Sequence, residues 1–513
     1  VDARPMGLAL AARRGVLVVC NSGTDSVSLV DLETGKVRAT WPGFREPFAA
    51  AITPDEKLAV VSNLLPGGTA NRPDVGATLK VVDLEQAATI AEIQLPAGSS
   101  NVRQLAISGD GRWVYVVHTV GRFDLPTTQL DRGWINTDAL SIIELPRRTV
   151  QATVLLDRVT EGAANPWGVA LANDGQTLWV SLSGTHEVAR IDLKTLHELL
   201  AGTFAGKPLG IWADIKSDPA RRGQLVNDFS ALYIAGLITR IDLPANGLRG
   251  LALSADGTLA VGGYFSGNVL LLDSASLKTS TVISLGPNPA ETAERIGERI
   301  FHDATICYQK WLSCATCHPD TRADGLNWDL LNDGLGNPKN TRSLVLAGEI
   351  GPVMSLGVRT NMAAAVAAGF KHIEFSEIPQ EDLNHVIAYL RTLKPEPSPY
   401  RLPDGSLSAK ARKGKTLFES ASTGCAQCHS GPIGTDQTAV DVGTQGELDK
   451  PEERAFVTPR LVELWRTAPY LHDGSAATLM DVLTTGNKND QHGRTAHLNR
   501  EQLEDLVEYL RSL

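Results

Sequence analysis

Apolar and polar positions alternate in short runs over the first 287 residues, and one phrase recurs, an apolar strand that closes on an acid. It reads Val27-Ser-Leu-Val-Asp31, Leu79-Lys-Val-Val-Asp83 and Leu140-Ser-Ile-Ile-Glu144, then Val188-Ala-Arg-Ile-Asp192, Ile238-Thr-Arg-Ile-Asp242 and Val269-Leu-Leu-Leu-Asp273. A turn and another apolar strand precede most copies, as in Asp110-Gly111-Arg-Trp-Val-Tyr-Val-Val and Asp256-Gly257-Thr-Leu-Ala-Val. Period-two alternation punctuated by Asp-Gly predicts antiparallel hairpins. Four strands repeated every 40 to 50 residues, roughly, is the spacing of propeller blades, each of which needs neighbours to cover its faces. Residues 1–287 are therefore expected to form an all-β propeller of six or seven blades. The phrase ending at Asp242 is degenerate, because the polar stretch from Asp214 to Asp228 replaces its preceding strand.

From about Pro289 the period becomes helical and the signals come in pairs. Gly297-Glu-Arg-Ile-Phe301 matches Gly414-Lys-Thr-Leu-Phe418, and Pro352, Gly357 and Gly369 overlay Pro469, Gly474 and Gly486 at one constant offset. Each half ends on the same amphipathic helix, with Leu383, Val386, Ile387 and Leu390 on one face and Leu503, Leu506, Val507 and Leu510 on the other copy's. The proline-rich stretch Lys394-Pro-Glu-Pro-Ser-Pro-Tyr400 separates them. Two mainly α-helical, cytochrome c-like domains are expected, over residues 288–396 and 404–513.

Hydrophobic content of 42% and charge of 21% are those of a globular chain. No apolar run of about 18 residues is present, so no membrane span is expected. A net charge of −10 argues against nucleic acid as a partner. The chain opens on Val1 without a charged-then-apolar leader, which reads as a periplasmic or otherwise exported protein with its signal peptide removed.

Six cysteines are too few for a disulfide framework in a chain this long. Four fall in Cys314-Ala-Thr-Cys317-His318 and Cys425-Ala-Gln-Cys428-His429, with Cys20 and Cys307 left over. Two thiols on one turn can add to the two vinyl groups of a haem, and the histidine that follows points at the iron. A shared four-cysteine zinc site would leave both histidines unexplained. Two covalently bound haem c groups are expected, with His318 and His429 as proximal ligands. The propeller histidines His118, His186 and His197 are isolated, which suits structural roles and makes the propeller a platform with a binding face.

Thr458-Pro459-Arg-Leu461, then Ala468-Pro469-Tyr470-Leu471-His472-Asp473-Gly474-Ser475 and Thr478-Leu479, together with the second haem motif, resemble the di-haem cytochrome c peroxidase family. That family includes the enzymes that mature methylamine dehydrogenase. The resemblance runs from about residue 290 to the end, and the preceding repeats resemble YVTN-type propellers. It implies a periplasmic enzyme whose first haem, on His318, reacts with hydrogen peroxide. The second haem, on His429 and six-coordinate, relays electrons from a small redox protein or protein substrate that the propeller docks. A homodimer is common among relatives. A calcium ion between the haem domains is also implied, and Asn340 and Thr458 match positions near it.

The sequence departs from the family in three places. The axial Met of the second haem should fall near Thr485, the inter-haem Trp near Leu356-Gly357, and the first haem's distal His near Asn332 to Gly334; none is there. His492 and His497 are candidates for the second haem's sixth ligand. His492 is favoured because the following glycine lets its loop approach closely, and two imidazoles would lower the potential relative to His/Met. For the first haem, His372 is a candidate cap or acid–base group. Glu374 and Glu377 sit near where the family places an acid that assists O–O cleavage, and Glu377 is a candidate catalytic residue. Trp328 is a candidate relay as well as a packing residue, whereas Met354 and Met362 overlay Leu471 and Leu479 and read as core. A peroxide-using oxidoreductase is expected; the alternative is a non-enzymatic di-haem electron carrier with the propeller as a binding module.

Overall fold

The computed structural model describes residues 1–125, 135–287, 289–330, 334 and 336–513. Five four-stranded antiparallel sheets follow one another over residues 5–42, 47–94, 99–155, 166–242 and 248–284, each with its strands in chain order. Their first strands, Pro5–Ala11, Pro47–Ile52, Ser99–Ile107, Pro166–Leu171 and Leu248–Leu253, pack in succession. The alternating residues fill the layers between neighbouring sheets, as where Val60, Leu79 and Val81 meet Leu105, Val114 and Val116. This is a propeller-like array with helical domains after it.

Among the described residues the four-stranded sheets number five, not six or seven. The phrase Ile238–Asp242 is not a blade of its own. It is the outer strand of the fourth sheet, paired with Glu187–Asp192. The segment between them, which includes the polar stretch, is an insertion that contains helices Leu193–Ala201 and Ile211–Ser217. Asp192 caps the first of these by accepting from Thr195 N. Alternation reports that a strand is paired and half-covered, not its rank within a sheet.

The haem half is two copies of one arrangement. In the first, helix α1 (Ala293–Phe301) crosses helix α2 (Gln380–Arg391); in the second, α3 (Ala409–Glu419) crosses α4 (Arg500–Arg511). Gly297 and Gly414 sit at the crossings, where an added Cβ would run into the carbonyl oxygens of His385 and Asp505. Phe301 meets Tyr389 edge-on at 5.6 Å, and Phe418 meets Tyr509 at 5.3 Å. The loops between also match. Pro352 and Pro469 each follow a cis peptide, and Met354 and Leu471 both have positive φ. Met354 therefore occupies a loop position equivalent to Leu471, and Met362 is buried in the core of the first copy.

Both copies are tied to the sheets by charge. Arg466 of the second copy pairs with Glu46, the residue just before the second sheet, at 2.9 Å, with side chains 2% and 3% exposed. Asp320 of the first copy takes Arg4 at 3.2 Å and Arg103 at 3.1 Å. Arg322 joins the two copies by bonding Glu463 at 2.7 Å.

Candidate functional site

The first haem motif is a single helical turn, Cys314–Cys317, held by a capping box in which Ser313 and Thr316 bond each other's backbone. The ends of the third and fourth sheets cover it. Asn165 Nδ2 donates to Ser313 Oγ at 2.8 Å, Thr316 Oγ1 donates to Asn165 Oδ1 at 2.9 Å, and Asn101 Nδ2 donates to the Thr316 carbonyl at 2.8 Å. His318 Nδ1 donates to the Arg322 carbonyl at 2.9 Å, which leaves Nε2 for a metal.

An acid lies beside this turn. Glu374 is 3% exposed, and Cys314 Sγ lies 3.2 Å from its Oε1; the thiol stands where a haem thioether sulfur would be. Burial pushes the Glu374 carboxyl up to about 8. His372 and Glu377, by contrast, are both exposed. Helix Met362–His372 ends at His372, and the chain then turns so that Ile373 and Glu374 point inward. Glu374 is thus the acid buried beside this turn, whereas His372 and Glu377 face solvent. Trp328 is buried and gives its indole N–H to Asp324 Oδ2 at 2.8 Å, while burial pushes the Asp324 carboxyl up to about 6. Two of the positions expected for a first distal histidine, Asn332 and Asp333, lie outside the described residues.

The second motif, Cys425–Cys428, is more open, with Gln427 exposed. His429 Nδ1 donates to the Gly434 carbonyl at 3.0 Å, the same arrangement as His318. Across from it stands His492, with ring centroids 6.2 Å apart. Two metal–imidazole bonds of about 2 Å each, plus the ring radii, fill that gap. Asn487 accepts from His492 N at 2.8 Å and shapes the loop. Burial, then His429, pushes His492 down to about 4, so its ring is neutral as a ligand must be. His497 is exposed on the same loop.

A cavity of about 450 Å³ opens between these rings, lined by Cys425, Cys428 and apolar residues such as Leu479, Leu483 and Leu506. Arg342 and Arg460 also line it. Burial lowers both guanidinium groups to about 10, Arg460 further affected by its neighbour Arg342. Two half-buried cations lining an apolar slot fit the two propionates of a haem. The residues present therefore fit haem c. The arginines were not found from sequence, since nothing in a lone arginine marks it as buried.

Asn340 and Thr458 line the same cavity. Asn340 Nδ2 donates to Asn327 Oδ1 at 3.0 Å and Thr458 Oγ1 to the Thr438 carbonyl at 3.1 Å. These bonds turn both side chains onto protein partners, and no group of three or more His, Cys, Asp or Glu among the described residues is placed to hold a metal ion. Cys20 and Cys307 are buried, and burial pushes both thiols up to about 12.

The family model described as RoxA-like, cytochrome c-like matches residues 455–492, which hold the Pro469–Ser475 loop and His492. The chain is 31% identical over 274 residues to the hydrazine synthase γ subunit of Kuenenia stuttgartiensis, covering 43% of this chain and 77% of that one. It is 26% identical over 250 residues to the β subunit of the same assembly, covering 48% of this chain and 58% of that subunit's length. Cytochrome c551 peroxidase of Nitrosomonas europaea is 23% identical over 306 residues, covering 50% of this chain and 89% of the peroxidase. With two matching haem motifs in duplicated helical domains, the chain belongs to the di-haem cytochrome c peroxidase family.

Proposed function

We propose that this protein is an exported oxidoreductase with two haem c groups, one on each motif, which uses hydrogen peroxide at the first and passes electrons through the second. The observation that carries this reading is the asymmetry of the two sites. A second imidazole faces His429, whereas the group set beside the first motif is the carboxylic acid of Glu374.

Haem iron, when bound, supplies the centre that accepts oxidising equivalents. The chain's residues supply the rest. Glu374 keeps its proton near neutral pH and so can deliver it to a departing oxygen and recover it, which is worth about 10²–10⁴ in rate. His429 and His492, rather than His497, would hold the second haem between them. Trp328 remains the candidate relay, because Asp324 is in place to hold the indole proton. A small redox protein would deliver electrons at the second motif, whose turn is open, since the first is roofed by the sheets. No helix among the described residues is long and apolar enough to cross a membrane.

Low-temperature EPR of the oxidised and half-reduced protein tests this. A high-spin ferric signal from the first haem in either state is expected. Two low-spin signals that persist in both states, each lost only as its haem is reduced, would favour the electron-carrier alternative.

A further inference from the structure

One hairpin of the propeller array is built differently from the rest. Strands Trp113–Gly121 and Asn136–Glu144 of the third sheet have nine residues each, where the corresponding central strands of the other four sheets have six. Pairing continues out to the Gly121–Asn136 rung. The extra length carries the hairpin off the array and into the haem half.

There it meets the first motif. Asn136 Nδ2 lies 3.8 Å from Cys317 Sγ, the position of a haem thioether. Phe123 and Ile135, just beyond the last rung, pack in one apolar cluster with Cys317, Leu326, Trp328 and Ile373. Ile135 is 2% exposed and Trp328 5%. The approach is close at Gly121, where an added Cβ would come 2.8 Å from Leu326 Cδ1 and 2.9 Å from Trp328 Cη2. Ile373, a member of that cluster, immediately precedes Glu374, the acid beside Cys314.

We infer that this hairpin end, through Phe123, Ile135 and Asn136, is part of the first haem site and limits it to ligands of about the size of hydrogen peroxide. The inference rests on the reading of that site as the peroxide-binding one. It makes the third sheet a determinant of access, a role distinct from docking a partner protein. Apolar walls discriminate by fit, and a group of methylene size changes affinity by about 10–200-fold.

The test uses the full-length haem-loaded protein and two ferric ligands, cyanide and 4-phenylimidazole, followed by the first haem's absorption and EPR signals. The second haem's signals serve as internal reference for folding. Wild type should bind cyanide and bind 4-phenylimidazole poorly. The Phe123→Ala, Ile135→Ala variant should bind the bulky ligand at least about tenfold tighter, with Phe123→Leu in between and cyanide binding unchanged. Equal binding of 4-phenylimidazole by all three proteins overturns the inference alone. Refusal of cyanide by all three overturns it together with the peroxide-site reading.

Discussion

The imidazoles of His429 and His492 face one another across the second haem cavity with ring centroids 6.2 Å apart and planes inclined by 46°. His492 Nδ1 is buried without a hydrogen-bond partner among the described residues, whereas His429 Nδ1 is bonded to the Gly434 carbonyl. Removal of His492 by alanine substitution should convert the second haem from low-spin to high-spin. His497→Ala should leave it low-spin. Visible and EPR spectra of the two variants check this, and identical spectra for both would refute the assignment.

Glu374 and Glu377 differ in burial although three residues apart. Glu374→Gln should lower peroxide turnover by about 10²–10⁴, with the haem spectra retained. Glu377→Gln should leave turnover near wild type. Steady-state rates at saturating peroxide decide between them.

The same carboxyl sets a pH dependence of stability. Its folded value is raised to about 8 by burial, against about 4.3 in an unfolded chain. Between those values the folded state binds the extra proton. The group's contribution to stability is therefore complete below about pH 4.3 and is lost as pH rises through that window. Thermal unfolding across the range should show wild type losing stability relative to Glu374→Gln, and parallel curves would exclude the effect.

Glu46 and Arg466 join the second sheet to the second haem domain inside the protein. Arg466→Met leaves the Glu46 carboxylate buried with fewer partners and should cost about 3–5 kcal/mol. Replacing both, Glu46→Leu with Arg466→Met, should recover much of that loss, since two desolvated charges are removed together. Denaturant unfolding of the single and double variants measures both.

The sequence by itself determined the hairpin array, the duplicated helical halves and the two Cys-x-x-Cys-His motifs, because each is written in local spacing. Alternation encodes a strand, a 3.6 period encodes a helix face, and Cys-x-x-Cys-His places two thiols and an imidazole on one turn. His492 was legible for the same reason, through its position after Gly486 and before Gly493. What the sequence could not show was which residues meet from far apart. The Ile238–Asp242 strand reads like a sixth blade until its pairing with Glu187–Asp192 is seen. Glu374 and Glu377 look alike until the turn after His372 buries one and leaves the other in water. Arg342, Arg460, Phe123 and Ile135 acquire their roles only when distant segments pack around the motifs. Their chemistry comes from burial and proximity, which are properties of the tertiary structure.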